Sequence, residues 1–509
     1  MNVSPLADHS KTLDRLLAGF TKKIPVPALT VPGLALDSRR VRPGWVFLAY
    51  QGTHEHGMVH AAEACARGAA AIVYEPVPDM KMPKLPPKVA CVEVPDLRAV
   101  SGLIASRFFD DPSAHMSVTG VTGTNGKTSV TSILAQVLSN WGQPCGLIGT
   151  LGYGLYGMLE PAIETTPNPV RLQSILAALR DRGAGQVAME VSSHALDQAR
   201  VAGVHFESAV FTNFTRDHLD YHGTMEAYRK AKGKLFAWPE LQRAVLNLDD
   251  PAAEYFAGCC ASDVELIGYG LRPEVPTWFR GRHLYARDVR AHGMGLEMQV
   301  DGDFGSGTLR SLLVGQFNAE NLLAVLAVLL AQGRPFGDTL SRVSHARTVP
   351  GRMEGFGGGN QPLVVIDYAH TPDALEQALN AVRAHASGKV CVVFGCGGER
   401  DRGKREQMGA VAAAAAERIV LTDDNPRGED GSKIIADIRN GIPEQTAAQV
   451  SVERDRTQAI ADALEAAHAG DVVLVAGKGH ETVQIVGAER RRYSDRDTVR
   501  HLLGVPVWS

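Results

Sequence analysis

The stretch GVTGTNGKTS, residues 120–129, constrains this chain more than any other. It follows the apolar run MSVTGV and leads into KTSVTSILAQVL, whose apolar residues recur at helical spacing. A strand that ends in a glycine turn and feeds a helix aims backbone N–H groups and a helix dipole at one point, which is how phosphates are held. The strict pattern GxxxxGK[ST] needs glycine at 121, where this chain has Val121; its glycines fall at 120, 123 and 126. The turn Gly123, Thr124, Asn125 and Gly126 is expected to cradle the β- and γ-phosphates of ATP, with Ser129 close behind. Lys127 supplies a point charge, and Thr128 offers a hydroxyl to Mg²⁺. The alternative, a glycine turn that only caps a helix, fits this strand-to-helix context poorly.

A chain of 509 residues is too long for one core, so three domains are expected. Hydrophobic residues at 45% and charged residues at 21% suit an ordinary globular protein. A net charge of -4 gives no reason to expect a nucleic-acid partner. The seven cysteines include no CxxC pair, which favours reduced thiols and a cytoplasmic location over a disulfide framework or zinc site. The opening MNVSPLADHSKTLDRLLAGF is too polar for a signal peptide. LLAVLAVLLA, Leu322 to Ala331, is too short to span a bilayer and reads as a buried helix after an FNAEN turn. No membrane insertion is expected, and the working expectation is a monomer.

Short apolar strands alternate with alanine-rich helices throughout, which predicts an α/β fold with mainly parallel sheets covered by helices on both faces. Boundaries are expected near residues 114 and 350. They give a smaller α/β domain (1–114), a central P-loop domain (115–349) and a Rossmann-like domain (350–509). In the last, LVVIDYAHTPDAL, KVCVVFGCGGERDRGKR, RIVLTDDNPRGED and DVVLVAGKGHE each run from strand into polar loop. In open α/β sheets such loops gather at the carboxyl edge, where ligands bind.

The altered glycine spacing resembles that of the ATP-dependent Mur ligases. So do LDSRRVRPG, ETTP, MEVSSHALDQARV, FTNFTRDHLDYHG, AKGKLF, GRME, DYAHTPDAL, GCGGERDRGKR, DDNPRGED and GKGHE, in order along nearly the whole chain. Within that family the resemblance is to the branch that adds the third residue of the peptidoglycan stem peptide. It implies an ATP-dependent amide ligase acting on UDP-MurNAc-L-Ala-D-Glu and meso-diaminopimelate through an acyl phosphate. Three substrates positioned from three domains imply domain closure.

The resemblance also distributes roles. Lys127, Glu190, His218 and Lys232 become the catalytic set, with Thr128, Glu190, His218 and Lys232 holding two Mg²⁺ ions. Asp217, Asp220 and His222 lie close to His218 in sequence. Lys232 would act as a CO₂-derived carbamate, because an ammonium would repel the metal whereas a carbamate ligates it. Read without the resemblance, Lys232 is a solvated lysine on an amphipathic helix. Asn318, Asn321, Arg352 and Asp367 are implied at the ATP, as amide faces, a phosphate fork and a ribose acceptor. Leu36, Ser38, Thr53, His54 and Glu55 are implied at the uridine diphosphate; a tight turn between strands is the alternative there. Thr165, Thr166, Ser192, Gln198 and Arg200 suit the anionic muramoyl-dipeptide arm, although the threonines could instead cap the helix that TPNPVRLQSILAAL begins.

Arg427 stands in an acidic loop beside a proline. Its planar fork matches the two oxygens of a carboxylate, and diaminopimelate carries a second, distal carboxylate that lysine lacks. Asp424, Asn425, Pro426 and Arg427, with Arg400 as a second fork and Gly477 and Glu481 for the amine, are the implied amino-acid pocket. A salt bridge from Arg427 to Glu429 or Asp430 is the alternative. The rival functions are a sibling ligase that uses lysine and a nucleotide switch that hydrolyses ATP to move a partner. GCGGERDRG does not complete a dinucleotide motif, because Arg400 occupies the third glycine position.

Overall fold

The run before the glycine turn forms strand Ser117–Thr122, buried along almost its whole length. Parallel neighbours flank it on both edges, Gln186–Glu190 on one side and Phe206–Phe211 on the other. Cys145–Gly149 extends the parallel set on the first side and Arg243–Asn247 on the second. Strands paired on both edges and covered on both faces have no polar side, so Val, Ala, Met and Ile fill them without alternation. Two antiparallel strands, Gly152–Leu155 and Met158–Glu160, finish one margin.

The computed structural model describes residues 10–504 except 23, 24, 53, 54, 79, 81, 293 and 294. Two compact units emerge. The first runs up to Gly268 and includes Pro276–Gly281; the second holds Tyr269–Val275 and everything from Arg282 onward. Besides the phosphate-loop sheet, the first unit contains a smaller, wholly parallel sheet of Leu34–Ala35, Val46–Ala49, Ala71–Tyr74 and Ala90–Glu93. Helix Leu97–Phe108 buries Leu97, Ile104 and Phe108 in the core of that sheet, beside Leu13, Leu16 and Leu17. Gly102 permits a close approach on its other side, since a Cβ there would lie 2.0 Å from the Ala202 carbonyl oxygen.

In the second unit, Leu363–Asp367, Val472–Ala476, Val390–Phe394, Arg418–Leu421 and Gln449–Val452 pair in that order, all parallel. Glu354–Gly357 adds an antiparallel margin. Parallel strands share one carboxyl edge, so the four polar loops read from the sequence do lie together. An antiparallel meander, Arg282–His292, Gly295–Gly302 and Gly307–Ser311, precedes helix Gln316–Ala331. That helix corrects one expectation: FNAEN is not a turn. The chain breaks earlier, at Gly315 with φ of +93°, and is helical from Gln316, so Asn318 and Asn321 occupy the first turns. Asn318 stays helical by donating its side-chain amide to the Val314 carbonyl at 2.8 Å. Among the described residues no helix is long and apolar enough to cross a membrane.

Candidate active site

Gly123 has φ of +151°, and a Cβ there would lie 1.9 Å from Thr212 Oγ1, so only glycine fits. The next two amides face inward: Thr124 N–H donates to the Asn213 carbonyl and Asn125 N–H to Asn213 Oδ1, both at 2.8 Å. These two groups brace the loop rather than point at a phosphate, which narrows the expected cradle toward Gly126 and the start of helix Lys127–Asn140. Lys127 arches back over the loop, its Nζ donating to the carbonyls of Gly123 and Thr124 at 2.9 Å each. Ser129 lies one residue beyond Thr128 in the same first turn.

Glu190 ends its strand 1% exposed. Thr128 Oγ1 donates to its Oε2 at 3.0 Å, and the Thr150 amide donates to its Oε1 at 2.8 Å. A Cβ on Gly149 would sit 2.3 Å from that same oxygen, so glycine clears the space the carboxylate fills. Thr150 was not anticipated; its signal was a polar residue directly after the apolar strand Cys145–Gly149.

Lys232 is not a solvated lysine. It is 1% exposed on helix Met225–Phe236, whereas Lys230 and Lys234 reach Glu226 and Asp197 on the surface. Its Nζ donates to the Gly123 carbonyl at 2.8 Å, the oxygen that Lys127 also uses. Burial, then the neighbouring Lys127 charge, push the Lys232 ammonium well below its usual range, with Asp217 opposing. Tyr228 lies under this amine, 4.5 Å from Nζ to the ring centroid, and its hydroxyl stands 3.3 Å from Thr124 Oγ1. His218 meets the same tyrosine at 6.0 Å between ring centroids and lies 3.4 Å from Asp217. His222 instead bonds Ser193 Oγ at 3.0 Å. Thus Lys232, His218, Asp217 and the phosphate loop converge on Tyr228, which the sequence did not single out. Among the described residues no three His, Cys, Asp or Glu side chains form a ready metal cage. Mg²⁺ is commonly held by one or two carboxylates together with substrate phosphates, so Glu190 with the Thr128 hydroxyl beside it suits that ion without a cage.

The residues expected at the muramoyl-dipeptide do meet. Thr166 Oγ1 donates to the Glu190 carbonyl at 2.9 Å and accepts from the Ser192 amide at 3.2 Å. Thr165 Oγ1 lies 3.1 Å from Thr150 Oγ1. Neither threonine caps the next helix: Asn168 does, accepting from the Arg171 amide at 3.0 Å. Asparagine directly before Pro169 is the better cap, because that proline supplies the first helical φ. Arg200 donates to Gln198 Oε1 at 2.8 Å and to the Thr166 carbonyl at 3.0 Å, with Glu164 at 3.1 Å. In the smaller sheet, Ser38 is buried and donates to Glu63 at 2.6 Å, Leu36 is half-buried, and Glu55 pairs with His60 at 2.8 Å. Thr53 and His54 lie outside the described residues.

In the second unit, Asn321 donates to Asn318 Oδ1 at 3.0 Å, both buried. The Arg352 guanidinium stands 4.6 Å from the Tyr368 ring centroid. Asp367 accepts from the amides of Met353 and Ala369 at 2.8 Å, while burial raises its carboxyl. Burial raises the Tyr368 hydroxyl, a point at the carboxyl edge that Glu481 and Asp424 raise further and Arg352 and Arg400 lower.

Around that point Lys478, fully buried, donates to Asn425 Oδ1 at 3.0 Å and to Glu481 Oε2 at 2.9 Å. Asn425 donates in turn to the same glutamate oxygen at 2.8 Å. Asp424 is 7% exposed; burial raises its carboxyl, and Arg456 and Lys478 oppose the rise. A Cβ on Gly477 would lie 2.5 Å from Asp424 Oδ2. Pro426 is buried and Arg400 exposed. Arg427 takes φ of +50°, its N–H donating to the Ile485 carbonyl at 3.0 Å and its guanidinium to the Gly398 carbonyl at 2.8 Å. It does not pair with Glu429, which bonds Arg405 and Arg402, nor with Asp430, whose partner is Arg454. Arg405 escaped notice because its motif GERDRGKR is crowded with basic residues, and Lys478 because nothing in GKGHE signals burial.

Residues 121–329 match the Mur ligase middle domain and residues 351–479 the Mur ligase, glutamate ligase domain. The chain is 49% identical over 480 residues to UDP-N-acetylmuramoyl-L-alanyl-D-glutamate–2,6-diaminopimelate ligase of Alkalilimnicola ehrlichii, covering 93% of this chain and 95% of that one. The Pseudomonas aeruginosa protein of the same name is 48% identical, with the same coverage. A solved structure of a ligase with that name superposes with a TM-score of 0.73 at 34% identity, covering 97% of this chain and 99% of that one. The Acinetobacter baumannii ligase that acts with D-alanyl-D-alanine shares the fold, with a TM-score of 0.61 at 18% identity and coverage of 94% and 96%.

Proposed function

Because the chain belongs to the Mur ligase family, we propose that it joins 2,6-diaminopimelate to UDP-N-acetylmuramoyl-L-alanyl-D-glutamate at the expense of ATP. The observation that carries the choice of amino acid is Arg427, held beside Gly398 with the acids of its own loop bonded elsewhere. A guanidinium so placed offers its fork to the carboxylate at the far end of diaminopimelate, taken here as the meso isomer. Arg400 is the second fork, and Glu481, Asp424 and the Gly477 backbone receive the ammonium.

An oxygen of the D-glutamyl side-chain carboxylate attacks the γ-phosphorus, the bond to the β-phosphate oxygen breaks, and acyl phosphate and ADP result. The neutral amine of diaminopimelate then adds to the acyl carbon. The tetrahedral adduct loses phosphate and a proton, leaving an amide. Lys127 sits over the phosphate loop to stabilise charge on the transferring group. Thr165, Thr166, Ser192, Gln198 and Arg200 hold the carboxylate arm, and Ser38 with Leu36 the uridine end. Asn318, Asn321, Arg352 and Asp367 serve the nucleotide. Mg²⁺, two ions in this reading, supplies neutralisation of phosphate charge when bound to Thr128, Glu190, His218 and a carbamate on Lys232. A buried amine kept from charging is the form that adds CO₂. The divisions at 114/115 and 349/350, action as a monomer and a cytoplasmic location belong to the same reading.

Phosphate release with UDP-MurNAc-L-Ala-D-Glu and ATP tests it. Turnover is expected with meso-diaminopimelate and hardly any with L-lysine. Equal rates would discard the role of Arg427, and release with no amino acid present would favour an ATP-driven switch.

A further inference from the structure

Arg427 lies in a loop rich in carboxylates, yet its guanidinium donates to a backbone carbonyl, that of Gly398. The carboxylates have other cations. Asp423 pairs with Arg454 at 2.9 Å, and the same Arg454 stands 4.0 Å from Asp430. Glu429 receives both terminal nitrogens of Arg405 at 3.1 Å, and its Oε1 also accepts the amide of Glu399. Arg405 is 1% exposed and further bonds Asp437 at 2.9 Å and the Gly397 carbonyl at 3.4 Å. This one arginine therefore ties the loop after Val390–Phe394 to the loop after Arg418–Leu421. The seam is tight: a Cβ on Gly398 would lie 1.9 Å from the Pro426 carbonyl oxygen, and one on Gly397 would lie 2.9 Å from the Arg427 guanidinium.

We propose that Arg405 and Glu429 are positioning residues for amino-acid selection: they clamp the two loops so that the Arg427 fork stays turned toward the substrate instead of collapsing onto Glu429. The inference rests on the reading that Arg427 grips the distal carboxylate of diaminopimelate. Glu429, forked by Arg405 and also met by Arg402 at 3.3 Å and by the Glu399 amide, has little left for a further guanidinium, and a buried guanidinium with two acids holds a single geometry. The Arg405 contacts hold the Glu429 carboxyl at about 2, so the clamp stays charged wherever the enzyme works.

Steady-state kinetics of Glu429→Gln, Arg405→Lys, Arg427→Gln and the Glu429→Gln/Arg427→Gln pair test the clamp, with Arg402→Gln as an exposed control and thermal melts alongside. Glu429→Gln should raise KM for diaminopimelate about tenfold or more while leaving KM for ATP and for the uridine nucleotide within about twofold. In the Arg427→Gln background the same change should add less than about twofold, because its effect runs through the missing fork. Arg402→Gln should leave KM for diaminopimelate within about twofold. An unchanged KM in Glu429→Gln, or a penalty that multiplies in the double variant, overturns the proposal. Arg405→Lys reports the same way if it folds, and the near-isosteric Glu429→Gln decides if it does not. Should Arg427→Gln itself leave the preference over lysine intact, the parent reading fails, separately from the clamp.

Discussion

Gly123 offers one carbonyl to two lysines, and only one of them can stay comfortably charged there. Lys127 keeps a second carbonyl, Thr124, whereas Lys232 has burial against it as well. The Lys232 ammonium therefore loses its proton well below the 10.5 of free lysine. The folded chain binds fewer protons than the unfolded one between those two values, so the unmodified protein gains stability as pH rises across that window. Only the neutral amine adds CO₂. Activity lost on stripping CO₂ should return on adding it back, and with dissolved CO₂ held constant it should return faster as pH rises, levelling off below the pH at which free lysine would. Recovery timed by phosphate release, with the added CO₂ followed by mass spectrometry, checks this. Glu190 offers a second test. Three donations from Thr128 and Thr150 hold its carboxylate, and Glu190→Gln would convert the proposed charged ligand into an amide. The Mg²⁺ concentration for half-maximal rate should rise about 10–100-fold, measured by metal titration.

Secondary-structure elements carry these residues by ordinary local rules. Helix Met225–Phe236, which delivers Lys232, starts where Thr224 Oγ1 accepts the Ala227 amide at 3.1 Å. Thr224→Ala should lower stability by about 1 kcal/mol in denaturant melts, and no more, because the buried face of the helix is untouched. The hairpin Val483–Val486 and Glu489–Arg492 has a less ordinary duty. Gln484 donates to the carbonyls of Asp423 and Asp424 at 3.4 and 3.1 Å, and the Ile485 amide donates to Asn425 Oδ1 at 2.9 Å. This hairpin thereby sets the backbone on which Arg427 sits with positive φ. Gln484→Ala should raise KM for diaminopimelate about three- to tenfold, as the loss of one or two hydrogen bonds implies, with kcat little changed.

Across the whole chain, legibility followed physical range. Alternating apolar strands and helices, and the glycine turn, are local signals, so the parallel sheets and the phosphate loop could be read directly. Loops at one carboxyl edge follow from parallel pairing, so Asp367, Arg400, Asn425 and Glu481 could be grouped without coordinates. Burial of a charged side chain is not local. Lys232 looks like Lys230 and Lys234 until the helix is docked, and Arg405 looks like Arg402. FNAEN misled for a different reason: Asn318 turns its amide back to the Val314 carbonyl just before the helix and Asn321 bonds Asn318, so neither interrupts it. The fully buried fork of Arg456 on Asp495, at 2.8 Å, is equally invisible in sequence. Asp495→Asn would strand a guanidinium in the core and should cost about 3–5 kcal/mol in the unfolding of the second unit, read by denaturant titration.

Gly398 lies against the Pro426 carbonyl with no room for even a methyl group, and a methyl on Gly397 would push against the guanidinium of Arg427. If Arg427 grips the incoming amino acid as proposed, its seat is the shared property of two loops, and neither can change its shape alone. A lineage exchanging the diamine of its cell wall would have to rewrite both stretches together, since each single step on the way disturbs a seam that accepts nothing larger than hydrogen.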